Sequence, residues 1–157
     1  MRYAIISDIH SNLEALEVVL QEIDRIGVDR IVSLGDLVGY NANPNECVRL
    51  IEDRGVSCLM GNHDAAACGL EDPVDFNPIA KSAVLWTRHA LEPVNQDLLK
   101  GLPEEGSLNG GVRLAHGSLL HRDHYLTSHD DIMDNIWRMQ EAEPETRVLF
   151  FGHTHIQ

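Results

Sequence analysis

The chain has 157 residues, of which 43% are hydrophobic and 24% charged, the size and balance of one soluble domain with a single core rather than of a disordered segment. Lys and Arg number 12 against 25 Asp and Glu, giving a formal net charge of −13 with no basic cluster, which excludes long nucleic acid and anionic membrane as default partners. No apolar run approaches membrane-spanning length, and Tyr3 to Ile6 is too short for a secretory-leader core.

RYAII, Arg2 to Ile6, reads as a buried strand. After it Leu13, Leu16, Leu20 and Ile23 recur at helical spacing. Ser11 and Glu14 stand where a capping box would start that helix. Asp29 to Asp36 repeats the strand pattern, and Pro44 to Gly55 reads as a helix opened by proline and closed by glycine. Val56 to Asp64 is the expected third strand, so the order predicts βαβ crossovers and a sheet that begins parallel. Gly69 to Pro78 reads as a loop, Ile79 to Leu91 and Val94 to Leu99 as helices, and Gly106 to Gly111 as a turn. Val112 to Gly117 is a strand, His121 to Asp131 is polar and irregular, Ile132 to Glu141 is helical, and Arg147 to Ile156 is the last strand. Cys47, Cys58 and Cys68 lack CxxC spacing and read as reduced core thiols of a cytoplasmic protein.

The strand ends carry the chemistry. Asp8 and His10 follow the first strand, Asp36 the second, Asn62, His63 and Asp64 the third, His116 the fourth, and His153 with His155 the fifth. In open α/β sheets these carboxyl ends face the binding crevice. If the strands continue, the spacing of two in Asp8-Ile9-His10 and His153-Thr154-His155 puts both side chains of each pair on one face. Asp, His and Asn donors without a thiolate suit Mn²⁺, Fe, Co²⁺, Ni²⁺ or Zn²⁺ more than Ca²⁺ or a structural zinc. Seven donors exceed the need of one tetrahedral ion, so two divalent ions sharing a carboxylate are implied. Their charge would draw an anion into an acidic protein.

The ordered series SDIH, GD, GNHD, HG and GHTH resembles the calcineurin-like metallophosphoesterases, and SDIHSNLEAL, LGDLVGYNANPNECV, MGNHDAAA and FFGHTHI are most similar to their bacterial and archaeal small phosphodiesterase branch. The resemblance covers the whole chain. It implies two mixed β-sheets packed as a sandwich and flanked by helices, a four-layer αββα fold in one domain over 1–157. It also implies further strands after the GHTH motif, so a chain that stops there is expected to be truncated. Such a chain would be destabilised or form a homo-oligomer through exposed sheet edge.

In the family, the positions matching Asp8, His10 and His155 hold one metal and those matching Asn62, His116 and His153 the other, with the match to Asp36 bridging. The match to His63 assists the leaving oxygen and the match to Asp64 orients it. The implied reaction is hydrolysis of a small phosphate ester, a phosphodiester foremost, by in-line attack of a metal-bridging hydroxide, with Mn²⁺ the leading candidate metal. Monoesters, phosphoproteins and dinucleoside polyphosphates are the alternative substrates. A metal-binding scaffold without catalysis is the alternative of another class, and the presence of His63 favours an enzyme.

Other residues carry competing readings. Asp64 could simply cap a helix. Asn12 is read as part of the Ser11 turn. His121 and His124 are either phosphate contacts or solvated loop residues. His89 reads as a surface or core-edge residue, His129 with Asp130 and Asp131 as a helix start, and Trp86 and Trp137 as core.

Overall fold

The computed structural model describes residues 1–156. Strand β1 (Tyr3–Ile6) leads into α1 (Leu13–Ile26), β2 (Arg30–Ser33), α2 (Pro44–Asp53) and β3 (Ser57–Cys58). These strands form a parallel sheet in the order β1-β2-β3, with Tyr3 opposite Arg30 and Val32 opposite Ser57. Each crossover is a helix whose apolar stripe faces the sheet. Leu16, Leu20 and Ile23 are buried on α1, and Cys47, Val48 and Ile51 on α2. A leucine taken fully out of water contributes about 2 kcal/mol, so these stripes fix the helices on the sheet.

Helix α1 starts one residue later than the Ser11–Glu14 pattern suggests. Asn12 is the N-cap, and its side chain accepts from the Ala15 N–H at 3.1 Å, while Ser11 sits in the left-handed region at φ 58°. A second departure concerns the third strand, which is only two residues long and gives way to α3 (Asn62–Ala67). Three consecutive alanines favour helix, and Asp64 closes its first turn by accepting the Gly61 N–H at 2.9 Å. Helices α4 (Pro78–Ala90) and α5 (Pro93–Lys100) follow, each opened by proline at its first position.

The predicted turn at Gly106 to Gly111 is instead half strand. β4 (Glu105–Leu108) pairs antiparallel with β5 (Val112–Ala115), and Gly110 and Gly111 turn the hairpin with φ of 90° and 75°. After α6 (His129–Ala142), β6 (Val148–Phe150) pairs parallel with β5. The second sheet, β4-β5-β6, is therefore mixed.

Two apolar clusters define the layers. Leu20, Val48, Val84 and Leu99 join α1, α2, α4 and α5 to one face of the first sheet. Val32, Leu34 and Leu59 meet Leu114, Leu108 and Val112 of the second sheet on the other face. Trp86 and Trp137 lie outside both, 50% and 66% exposed; their helical spacing places them on solvent faces rather than in the core. All three cysteines are free and buried. No helix among the described residues is long and apolar enough to cross a membrane.

Candidate metal centre

Strands β1 and β6 end at Ile6 and Phe150, short of the residues that the sequence places on continuing strands. The loops beyond them coil instead. Among the described residues, the non-glycine residues in the left-handed region are Asp8, His10, Ser11, Asp36, Tyr40, His153 and His155, with φ between 49° and 63°. Each costs roughly 1–2 kcal/mol relative to ordinary backbone, and five of them are predicted donors. Strain concentrated in this way needs a frame that over-determines it. Bonds between loops supply the frame: Asp8 N–H to Gly35 O at 3.0 Å, His10 N–H to Asp36 O at 2.9 Å, Ser11 N–H to Leu37 O at 3.0 Å and Gly152 N–H to His116 O at 2.8 Å. Gly61 is needed for close approach, because a Cβ there would lie 2.8 Å from Asp36 Cγ.

Asp36 lies at the middle of the donor set. Its Oδ2 is 3.6 Å from His10 Nε2 and 3.3 Å from His116 Nε2, and its Oδ1 accepts the His63 N–H at 2.9 Å. On one side Asp8, His10 and His155 converge, with Asp8 Oδ1 3.3 Å from His155 Nε2 and the Nε2 atoms of the two histidines 3.2 Å apart. On the other side Asp36, His116 and His153 form a second group whose donor atoms lie within 4.8 Å of one another. Asn62 joins it through Oδ1, 3.2 Å from His116 Nε2. A third group, His10, Asp36 and His63, is equally close. All seven predicted donors thus meet around Asp36, which belongs to the second group and lies 3.6 Å from His10 of the first, and His63 borders both.

Backbone carbonyls orient the rings. Val38 O lies 3.2 Å from His10 Nδ1 and Leu34 O 3.0 Å from His116 Nδ1, so a proton on each Nδ1 turns Nε2 toward Asp36. Asp123 O lies 3.2 Å from His153 Nε2, which leaves Nδ1 as the donor there. Burial pushes His10 and His153 below the ordinary imidazole value, which favours the neutral form that binds metal. His116 goes the other way. Burial opposes its charge, but the Asp36 carboxylate outweighs burial and holds it up at about 9, while Asp36 is held well below the usual carboxylate range despite its own burial. A buried carboxylate among imidazoles and an amide oxygen, without a thiolate, fits borderline divalent ions.

His63 is 5% exposed, and burial lowers its pKa to about 4. Its ring packs against Tyr40 at 4.7 Å, Phe76 at 4.8 Å and His10 at 4.8 Å between centroids. The expected orienting bond from Asp64 is not made. Asp64 Oδ1 accepts the Val38 N–H at 3.0 Å and Oδ2 the Gly61 N–H at 2.9 Å, so both oxygens are committed to backbone, and His63 Nδ1 has no partner. Asp64 holds the two loops that carry His63 and Asp36 rather than the ring itself. Tyr40, Phe76 and Tyr125, whose ring lies 3.9 Å from that of His153, border the site and carry no sequence signal of their own. His124 bonds Ser118 Oγ at 3.0 Å and His121 Nδ1 accepts the Asp123 N–H at 3.2 Å, so both serve their own loop. Of the two residues between them, Asp123 reaches the centre through its carbonyl.

The family model described as calcineurin-like phosphoesterase matches residues 1–157. An uncharacterized protein of Methanocaldococcus jannaschii is 39% identical over 156 residues, 98% of this chain and 62% of that protein; the chain therefore spans less than two thirds of its relative. The crystal structure of a metallophosphoesterase from Sphaerobacter thermophilus superposes with a TM-score of 0.79 at 38% identity, covering 99% of this chain and 61% of that one. That of a hypothetical protein from Pyrococcus horikoshii gives 0.82 at 18% identity over 96% of this chain and 68% of that one, a likeness of fold. With His and Asp side chains of both donor groups meeting at Asp36, the match over the full length leads to one assignment: the chain belongs to the calcineurin-like phosphoesterase family.

Proposed function

We propose that this site hydrolyses small phosphodiesters with two divalent ions, Mn²⁺ foremost. Asp8, His10 and His155 would hold one ion, Asn62, His116 and His153 the other, and Asp36 both. The observation that carries the reading is the place of Asp36 Oδ2 between His10 Nε2 and His116 Nε2, at 3.6 and 3.3 Å. When bound, such a pair supplies Lewis acidity toward phosphate oxygens and acidifies a water for attack on phosphorus.

The protein's own residues do the rest. The carbonyls of Val38, Leu34 and Asp123 keep the donor nitrogens aimed inward, which reduces reorganisation during the reaction. His63 is a neutral imidazole at pH 7, its pKa down at about 4. A neutral ring steadies a departing oxygen by donating an N–H to it without first having to be protonated. Asp64 positions this ring through the backbone of Gly61 and Val38.

Charge favours a diester. A monoester dianion is ordinarily met by bidentate arginine, yet Arg122, the basic residue of the adjoining loop, is engaged by Glu71 at 3.4 Å and Glu104 at 2.5 Å. The three buried thiols fit a reducing, cytoplasmic setting. The test is Mn²⁺-dependent hydrolysis of bis-p-nitrophenyl phosphate beside p-nitrophenyl phosphate, with Asp36→Asn as control. Diester turnover that vanishes in the variant is expected; a metal-loaded protein silent on both esters would make it a binding scaffold instead.

A further inference from the structure

Two phenol rings flank the metal centre, one on each donor cluster. Tyr40 packs edge-on against His10 at 4.8 Å and 83°, and tilted against His63 at 4.7 Å and 35°. Tyr125 lies over His153 at 3.9 Å and 35°. They are 42% and 54% exposed, so each turns part of its ring toward the histidines and part toward solvent. Neither hydroxyl has a protein hydrogen-bond partner among the described residues.

Both are held in place by backbone. Tyr40 is in the left-handed region at φ 55°, unfavourable for a bulky aromatic residue. Asn41 keeps it there, donating its N–H to Gly39 O at 2.7 Å and its side-chain amide to His10 O at 2.9 Å. Tyr125 follows a loop tied by the bonds from His124 to His121 O at 3.1 Å and to Ser118 at 3.0 Å. The strained backbone at Tyr40 and the exposure of both rings leave aromatic surface open to a planar group beside the histidines.

We propose that Tyr40 and Tyr125 are specificity-determining residues, each receiving one organic arm of a phosphodiester whose arms are planar and aromatic, of the aryl or nucleoside class. The assignment rests on the diester reading above. A phosphodiester carries two arms on phosphorus, and each donor group carries one of the two rings. Tyr40 neighbours His63, the residue placed at the departing oxygen, so it takes the leaving arm. Tyr125, on the His153 side, takes the arm that stays. Stacking on a phenol face tolerates any planar group and is sequence-blind among bases, so the selectivity is for flatness rather than identity.

The test uses Mn²⁺-loaded wild type with Tyr40→Leu, Tyr40→Phe, Tyr125→Leu and Tyr125→Phe. The first readout is calorimetric binding of diphenylphosphinate and dimethylphosphinate, which contain no ester bond and need no turnover. Wild type is expected to prefer the diphenyl compound by roughly 10-fold or more, the Phe variants to keep that preference and each Leu variant to lose most of it. The second readout is kcat/KM for bis-p-nitrophenyl phosphate and methyl p-nitrophenyl phosphate, which share a leaving group. Tyr125→Leu should lower only the first, and Tyr40→Leu both alike. Absence of a diphenyl preference in wild type, or its survival in both Leu variants, would overturn the proposal whether or not any ester is hydrolysed. Silence on both esters with the binding preference intact would instead count against the hydrolytic reading alone.

Discussion

The Nε2 atoms of His10 and His155 stand 3.2 Å apart. Val38 O takes up the Nδ1 side of His10, so its Nε2 presents a lone pair to its neighbour. Two such nitrogens approach this closely when a cation or a proton lies between them, and Asp8 Oδ1, 3.3 Å from His155 Nε2, adds a negative charge to the same spot.

His155→Ala separates ligation from folding, because the side chain is 55% exposed. The metal-free variant should melt within about 0.5 kcal/mol of wild type. Its bound Mn²⁺ should fall from about two ions toward one, and diester turnover by roughly 100-fold or more. Elemental analysis beside thermal melting checks this; full metal content in the variant would remove His155 from the donor set.

Gly39→Ala probes His63 without touching a donor. A methyl at Gly39 would press on Nδ1 of His63 and lie 3.1 Å from Cγ, and φ there is 101°. The ring must shift. Turnover should fall by roughly 10- to 100-fold, the usual cost of misplacing a reacting group by about 1 Å, while metal content stays at the wild-type level. Wild-type turnover would mean that the position of His63 does not matter.

Asp64→Asn tests whether this carboxylate serves backbone or ring. It is wholly buried, accepting from Val38 and Gly61, and an amide would turn its NH₂ toward one of those donors. The loss should be about 1–3 kcal/mol, seen as a lower melting temperature, with an unchanged shape of the pH–rate profile. Wild-type melting with an altered pH profile would instead indicate direct action on His63.

Metal-free protein should lose stability above neutrality. The folded pKa of His116 is about 9, raised from 6.5 by Asp36 against burial. The protonated ring therefore stabilises the fold fully below about pH 6.5, and the contribution disappears as pH rises through 9. The effect is at most on the order of 3 kcal/mol, since the downward shift of Asp36 is the same interaction counted from its other end. On the acid side His63, down at about 4, works oppositely and loses stability below pH 6.5. Melting of chelator-treated protein should fall from pH 7 to 9, and metal uptake at pH 7.5 should release protons, measurable by calorimetry in two buffers. A melting temperature that rises from pH 7 to 9 would contradict the His116–Asp36 pairing.

The convergence of the candidate donors was legible because it depends on residue type and on following a strand, both of which a sequence displays. Asp36, His116 and His153 come together, as do Asp8, His10 and His155. The geometry within the loops was not legible. A spacing of two in Asp8-Ile9-His10 suggested one strand face, yet both residues coil into left-handed backbone, because bonds to Gly35 and Asp36 on the neighbouring loop outweigh local preference. Asp64 looked like the partner of the adjacent His63; its real partners, Val38 and Gly61, include one from a distant loop that no spacing reveals. Strand β4 was hidden by glycine and serine, which carry little strand signal and gain it only from pairing with β5. Tyr40 and Tyr125 are visible only as rings lying on histidines.

Whether Asp36 joins two metal sites into one centre is tested most directly by Mn²⁺ stoichiometry from native mass spectrometry on wild type, Asp36→Asn and His63→Ala. About two ions per chain are expected in wild type, a loss of at least one in Asp36→Asn, and no loss in His63→Ala. A single ion in wild type, or two retained in Asp36→Asn, would contradict the shared centre.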